Sequence, residues 1–379
     1  MDNPIRLQSI RFCSIEVTQR TRWVFVELSG DGITEVVEIT SGASTGVVIE
    51  HLKEAMLTLK GATIEHESDI PNLLGMNAER LQMDRPMATA VSCLRSAITG
   101  LQTRQNGMGL VATLGGEPMN SVPVYANINR SLLGENRSPE AFARAGQKAA
   151  DHGFVIFKCA PFDDIASGQT ARDLLAAAKP GIARVASLRS AVGPHMEILV
   201  DCHSRFDQAS ALAVAEELAG LGIGWFEEPM APEEDPEGLA EVSEKVTMPV
   251  AGGEIGYGER FFTSLITSGA VSIAMPDVKY CGGTNEACRI GRGVMKVGGR
   301  VSLHSPSGPV SQLASACVTA AIVGSMALEH AVDETPWRAE IMDPPERIED
   351  GRFWFPAIEC SGGNLNVEAL KLRGAVWDS

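Results

Sequence analysis

From about residue 121 onward the chain repeats one unit, a short apolar run followed by a stretch of helical periodicity. The runs are VPVYAN, GFVIFKCA, MEILVDCH, IGWFEEP, MPVAGGE, AVSIAMPD, GRVSLHS and SMALEHA. PEAFARAGQKAADH, ARDLLAAAKPGIARVASLRSAV and ASALAVAEELAGLG are the clearest helical segments between them. Such alternation predicts a parallel sheet, because parallel neighbours can be joined only by long crossovers, usually helices. Eight strands point to a (β/α)8-type barrel, here in the modified (β/α)7β form. A doubly wound sheet uses the same alternation, but G-x-G-x-x-G, the mark of its dinucleotide-binding form, does not follow the first run.

The flanks follow a different pattern. Between Ile5 and Ile49, IRFCSIEV, RWVFVELSG and ITEVVEIT read as a three-stranded meander, and from Glu50 to Gly107 the periodicity turns helical. At 379 residues the chain exceeds what one hydrophobic core usually serves. The expected division is an α+β cap at 1–120, a barrel at 121–335, and a segment at 336–379 that returns to complete the cap.

A net charge of −16 argues against nucleic acid, which is bound mainly by clustered Lys and Arg. It does not exclude an anionic substrate, because a metal and a few cations can reverse the field inside one pocket. The eight cysteines form no C-x-x-C pair, which fits a reducing cytoplasm, and no run is apolar for the ~20 residues a membrane span needs. A cytoplasmic protein with a small-molecule partner is the expectation.

In a barrel of this kind the C-terminal strand ends surround the active site. The third run ends in Asp201, the fourth in Glu227 and Glu228, and the fifth in Glu254. Asp201 and Glu227 are 26 residues apart and Glu227 and Glu254 are 27 apart, each one βα unit, so the three carboxylates should stand side by side. Converging acids repel without a cation, and oxygen-only ligation favours Mg²⁺, with Mn²⁺ as the alternative. Glu228 is placed behind these ligands, orienting a neighbour. The sixth and seventh runs end in Asp277 and His304, again one unit apart. An Asp accepting from one imidazole nitrogen would raise basicity at the other. If the third strand stays extended, His203 shares a face with Asp201.

With VDxH, FEEP, GGE, MPDVKYCGG, VSLHSPSG, ALEH and a closing EDGRFWFP on the page, the chain resembles the enolase superfamily, particularly its mandelate racemase-like branch. The resemblance spans most of the chain. It implies that Asp201, Glu227 and Glu254 bind Mg²⁺, that Asp277 and His304 form an Asp–His dyad, and that an ene-diolate is stabilised at the metal. His203 resembles the general acid of the superfamily's sugar-acid dehydratases, with Arg205 as a clamp for carboxylate or hydroxyl groups. Glu329 matches an acid that hydrogen-bonds the substrate carboxylate. Lys158 stands where many relatives carry a lysine pair and would bind the carboxylate or make a strand-end salt bridge. Ala160 replaces the second lysine, which weakens a two-base racemisation.

The resemblance also makes lid loops of Thr18–Arg22 and Ser41–Gly46 and implies a homo-oligomer. Asn127, Asn129 and Arg130, just past the first barrel strand, are candidates for sugar hydroxyls, and Lys279 is read as structural. The favoured activity is dehydration of a sugar acid to a 2-keto-3-deoxy acid. Racemisation or epimerisation beside the carboxylate is the alternative. A noncatalytic binding barrel is the remote one.

Overall fold

A computed structural model describes residues 3–132, 136–166, 171–356 and 363–378. The barrel strands are Ser121–Asn127, Ile156–Cys159, Glu197–Asp201, Trp225–Glu227, Val250–Gly252, Ile273–Ala274, Arg300–Val301 and Leu328–Ala331. Each of the first six pairs in parallel with the next, and the eighth pairs with the first, Leu328 opposite Val124. The seam between the seventh and eighth strands is spanned by Met326 N–H donating to the Val301 carbonyl at 2.9 Å and Ser302 Oγ donating to the Ala327 carbonyl at 2.8 Å.

Among the described residues seven helices fill the intervals, from Pro139–Asp151 to Pro309–Ala321, and the eighth strand leads into a 3₁₀ turn at Arg338–Ile341. Local sequence explains several helix starts. Ser138, Asp207 and Asp235 each accept a hydrogen bond from a first-turn N–H of the helix that follows, which satisfies a donor the helix leaves open. Proline follows Ser138 and Asp235 at the position where its missing N–H costs nothing.

Inside the barrel, Tyr125, Leu199, Trp225, Ala251, Ile273 and Met275 form a separate apolar cluster, with Tyr125 and Trp225 edge to face at 5.6 Å. Each of the first five belongs to a different strand. This plug fills the lumen, so polar side chains gather toward the C-terminal strand ends.

The cap is the expected meander, Ile5–Glu16, Arg22–Gly30 and Ile33–Glu38, covered by helices Thr45–Leu59 and Arg85–Gln105. Its core joins Phe12, Val24, Val26 and Leu28 of the sheet to Leu52, Val91, Leu94 and Leu101 of the helices. The tail divides. The hairpin Arg347–Glu349 and Arg352–Trp354 pairs with Ser121–Pro123 of the first barrel strand, and only the later Val376–Asp378 pairs with Phe12–Ser14 of the cap. An expectation that all of 336–379 returns to the cap overlooks this, because alternation within RFW supports a strand without naming its partner. Cys360 lies outside the described residues.

One buried carboxylate ties cap to barrel. Glu38, at the end of the third cap strand, accepts from Gly308 N–H at 2.7 Å and Ser311 N–H at 3.0 Å, at the N-terminus of helix Pro309–Ala321. Those donors have no intrahelical partners, and the positive end of the helix dipole favours an anion there. Glu38→Ala is expected to lower stability by about 2–4 kcal/mol, the cost of stranding two buried N–H groups. An unchanged urea midpoint would show that this docking contact contributes little.

Candidate active site

Asp201 ends the third barrel strand directly opposite Glu227, which ends the fourth, and Glu254 follows the fifth strand by two residues. Both Asp201 and Glu227 are almost fully buried. Each of the three carboxylates meets a cationic or cation-forming side chain. Lys158 Nζ pairs closely with Glu227 and lies 3.4 Å from Asp201 Oδ2 and 3.1 Å from Glu329 Oε1. His203 Nε2 is 3.1 Å from Asp201 Oδ2, and His304 Nε2 is 3.0 Å from Glu254 Oε2. Trp225 Nε1 donates to the other Glu227 oxygen at 2.9 Å. Among the described residues no three acids, histidines or cysteines form a closed metal cage.

The charges are in tension. Burial raises the Asp201 carboxyl, but the His203 and Lys158 charges outweigh it and hold it below the usual carboxylate range. Burial likewise opposes Glu254, which its His304 partner holds at about 2. Glu227 goes the other way: burial and the charge of Asp201 push it well above its ordinary value despite Lys158. Of the two facing acids one is held ionised and the other resists ionisation, as close carboxylates do when their repulsion is not fully relieved.

Asp277 and His304 meet as the spacing suggests, with His304 Nδ1 2.8 Å from Asp277 Oδ2. Burial lowers the imidazole pKa, but Glu254 and Asp277 together raise it well above the ordinary value. Asp277, raised by burial and lowered more by Lys279 and His304, lies at about 2.

His203 reaches Asp201 by a different route from the one extension implies. The strand stops at Asp201, and His203 and Ser204 turn into left-handed conformations with φ of 45° and 55°. The ring is then held from both sides, Nε2 by Asp201 and Nδ1 by Asp163 Oδ1 at 2.5 Å. The Asp201 charge is the largest cause of a rise to about 12, which favours the protonated imidazole.

The remaining residues have mostly inward partners. Asn127 Nδ2 donates to Glu329 Oε1 at 2.7 Å, and Ser305 N–H donates to Glu329 Oε2 at 2.8 Å. Asn129 Oδ1 accepts from Ala160 N–H at 2.6 Å. Arg130 spans from Thr21 Oγ1 in the first lid candidate to the Pro306 carbonyl at 3.3 Å. Arg205 is half-buried beside His203. Glu228 Oε1 accepts from Gly253 N–H at 2.9 Å and Glu254 N–H at 3.2 Å, so it holds the backbone that presents Glu254. Sequence reading misses Asp163 and Glu38. PFDD after Lys158 signals only a turn, and neither contact is local in the chain.

A capped (β/α)7β barrel with acids and histidines ringing its C-terminal strand ends is an enzyme architecture. Residues 141–362, more than half of the chain, match the family model described as Enolase C-terminal domain-like. The chain belongs to the enolase superfamily, on its mandelate racemase-like branch. It is 26% identical to a D-xylonate dehydratase of Haloferax volcanii, over 92% of this chain and 84% of that protein. It is 27% identical to a D-galactarolactone cycloisomerase of Agrobacterium fabrum, over 78% and 76%. The solved structure of a mandelate racemase/muconate lactonizing enzyme-like protein from Rubrobacter xylanophilus superposes with a TM-score of 0.84, at 26% identity and 97% coverage of both chains.

The Glu228 carboxyl supplies a pH test. Burial, then the Glu254 charge, raises it to about 8, against an unfolded value near 4.3. The folded state therefore holds this proton more tightly than the unfolded state. Its contribution to stability is full below about pH 4 and is lost as pH rises toward 8. In EDTA, the melting temperature of wild type should fall more steeply between pH 5 and 8.5 than that of Glu228→Gln, and parallel curves would refute the assignment.

Proposed function

We propose that this protein is a Mg²⁺-dependent dehydratase of a hydroxylated carboxylic acid of the aldonate or aldarate type, giving a 2-keto-3-deoxy acid. The observation that carries the reading is the opposition of two histidines across three strand-end acids. His304 is backed by Asp277, and His203 is backed by Asp163. Dehydration needs one base for the α-proton and one acid for the departing hydroxyl.

The donor set fits the metal. Asp201, Glu227 and Glu254 offer oxygen alone, as a hard divalent cation prefers, and the resistance of Glu227 to ionising beside Asp201 is what such a cation would relieve. When bound, Mg²⁺ would hold the substrate carboxylate and offset the charge that grows on it as the α-proton leaves. His304, anchored at Nδ1 by Asp277, acts as the base through Nε2. His203, cationic and fixed at Nδ1, donates its Nε2 proton to the β-hydroxyl. Lys158 and Glu329 bind the carboxylate end, with Asn127 and Ser305 N–H holding Glu329 in place. Glu228 steadies Glu254, and Arg205, Asn129 and Arg130 lie around the hydroxyl-bearing remainder of the substrate. On this reading 1–120, joined by the returning strand Val376–Asp378, serves as the cap and 121–335 carries the chemistry.

The D-xylonate dehydratase relative supports elimination. The cycloisomerase relative favours the second reading, isomerisation beside the carboxylate, but Ala160 leaves no second lysine base on that side. The test is a sugar-acid library with Mg²⁺ and semicarbazide detection of keto acid. EDTA should abolish product and Mg²⁺ restore it. His304→Asn should lose product and α-proton exchange by at least about 10³-fold, and His203→Asn should lose product while still exchanging the α-proton in D₂O. Exchange by wild type with no keto acid from any substrate would establish isomerisation instead.

A further inference from the structure

Lys279 is buried and belongs to none of the roles above. Its Nζ donates to Asp277 Oδ2 at 2.8 Å, the same oxygen that meets His304 Nδ1 at 2.8 Å. Its backbone N–H donates to Asp277 Oδ1 at 2.8 Å. Lys279 thus supplies a contact to each Asp277 oxygen, while the imidazole touches only one. The ammonium also donates to Ser307 Oγ and lies 4.7 Å from the centroid of the Tyr280 ring. Ser307 is itself fixed, its carbonyl accepting from Arg338 Nη1 at 2.7 Å.

An aspartate held by one hydrogen bond can rotate about its terminal torsion and take the imidazole with it. Here a compact cation pins the rotation, and its three donors allow it to serve Asp277 and Ser307 together. With Nδ1 fixed, the ring has one direction left for Nε2, toward Glu254 and the acid cluster.

We propose that Lys279 is a positioning residue for proton abstraction: by clamping Asp277 it fixes the His304 ring so that Nε2 faces the substrate. The inference rests on His304 being the base of the proposed reaction. It goes beyond that reading by assigning a role to a lysine that sequence reading treats as structural.

The test is Lys279→Met, which keeps the side-chain length and the backbone N–H but removes the ammonium. We expect kcat and the rate of α-deuterium exchange to fall together by roughly 10–100-fold, the usual effect of removing a residue that orients a catalytic group. KM for the sugar acid and Mg²⁺ affinity by calorimetry should stay within about threefold, because neither contact involves the ammonium. A crystal structure of the variant should show His304 turned away from its present Asp277 contact. Wild-type kcat with the ring unmoved overturns the proposal, and so does a loss confined to KM.

If Lys279→Met does not fold, Ser307→Ala decides, since it loosens the ammonium and leaves the charge in place. A lower kcat at unchanged KM and melting temperature supports the clamp, and unchanged kcat overturns it. If wild type turns over no sugar acid, the dehydratase reading alone fails, and the crystallographic comparison still tests the orientation of His304.

Discussion

The site depends on the compensation of buried negative charge at the end of the apolar barrel plug. Tyr125 and Trp225 close the lumen beneath, and directly above them Lys158 is enclosed by Glu227, Asp201 and Glu329. Ions in such a place keep their charge only if each has a partner, because leaving one unpaired costs several kcal/mol. Burial penalises the Lys158 ammonium, but the charges of Glu227, Glu329 and Asp201 outweigh it and raise its pKa well above the ordinary value. The lysine therefore stays charged, and the acids gathered around it can remain close together.

From that centre the other contacts follow as a sequence of pairings. Asp201 is matched both by Lys158 and by His203, whose other nitrogen meets Asp163. Glu254 is matched by His304, whose other nitrogen meets Asp277, itself paired with Lys279. Each histidine thus has an acid on either side, and its two nitrogens are distinguished by which acid belongs to the strand-end cluster. This distinction gives direction to the chemistry. One nitrogen is anchored by an acid outside that cluster, and the other faces an acid within it.

How much of this the sequence discloses depends on the range of each contact. Asp201, Glu227, Glu254, Asp277 and His304 are legible because the βα repeat fixes where each strand ends, so equal spacing along the chain becomes adjacency around the mouth. Their mutual arrangement needs no knowledge of loops. His203 is legible as a neighbour of Asp201 for the wrong reason, since its backbone turns left-handed instead of continuing the strand. Asp163 and Glu38 are not legible at all. The first reaches His203 across 40 residues and the second reaches Gly308 across 270, and no periodicity links such pairs. Asn127 and Asn129 show the converse failure. Polar residues past a strand end suggest substrate contact, but nothing in their spacing discloses the partners they have in the fold, Glu329 and the Ala160 N–H.

Lys279 belongs to the same class of hidden contact, and its position bears on how the cap influences the chemistry. Glu38 of the cap is among the charges acting on Lys279, and it docks on Gly308 N–H, next to the Ser307 that shares the ammonium. The seating of the cap therefore reaches Ser307, Lys279, Asp277 and His304 in turn through contacts that are all buried. A cap closing over a barrel is usually credited with excluding water and selecting substrate. In this chain the contact that docks the cap also adjoins Ser307 and Lys279, and through them the Asp277–His304 pair, in a short, connected set of buried side chains.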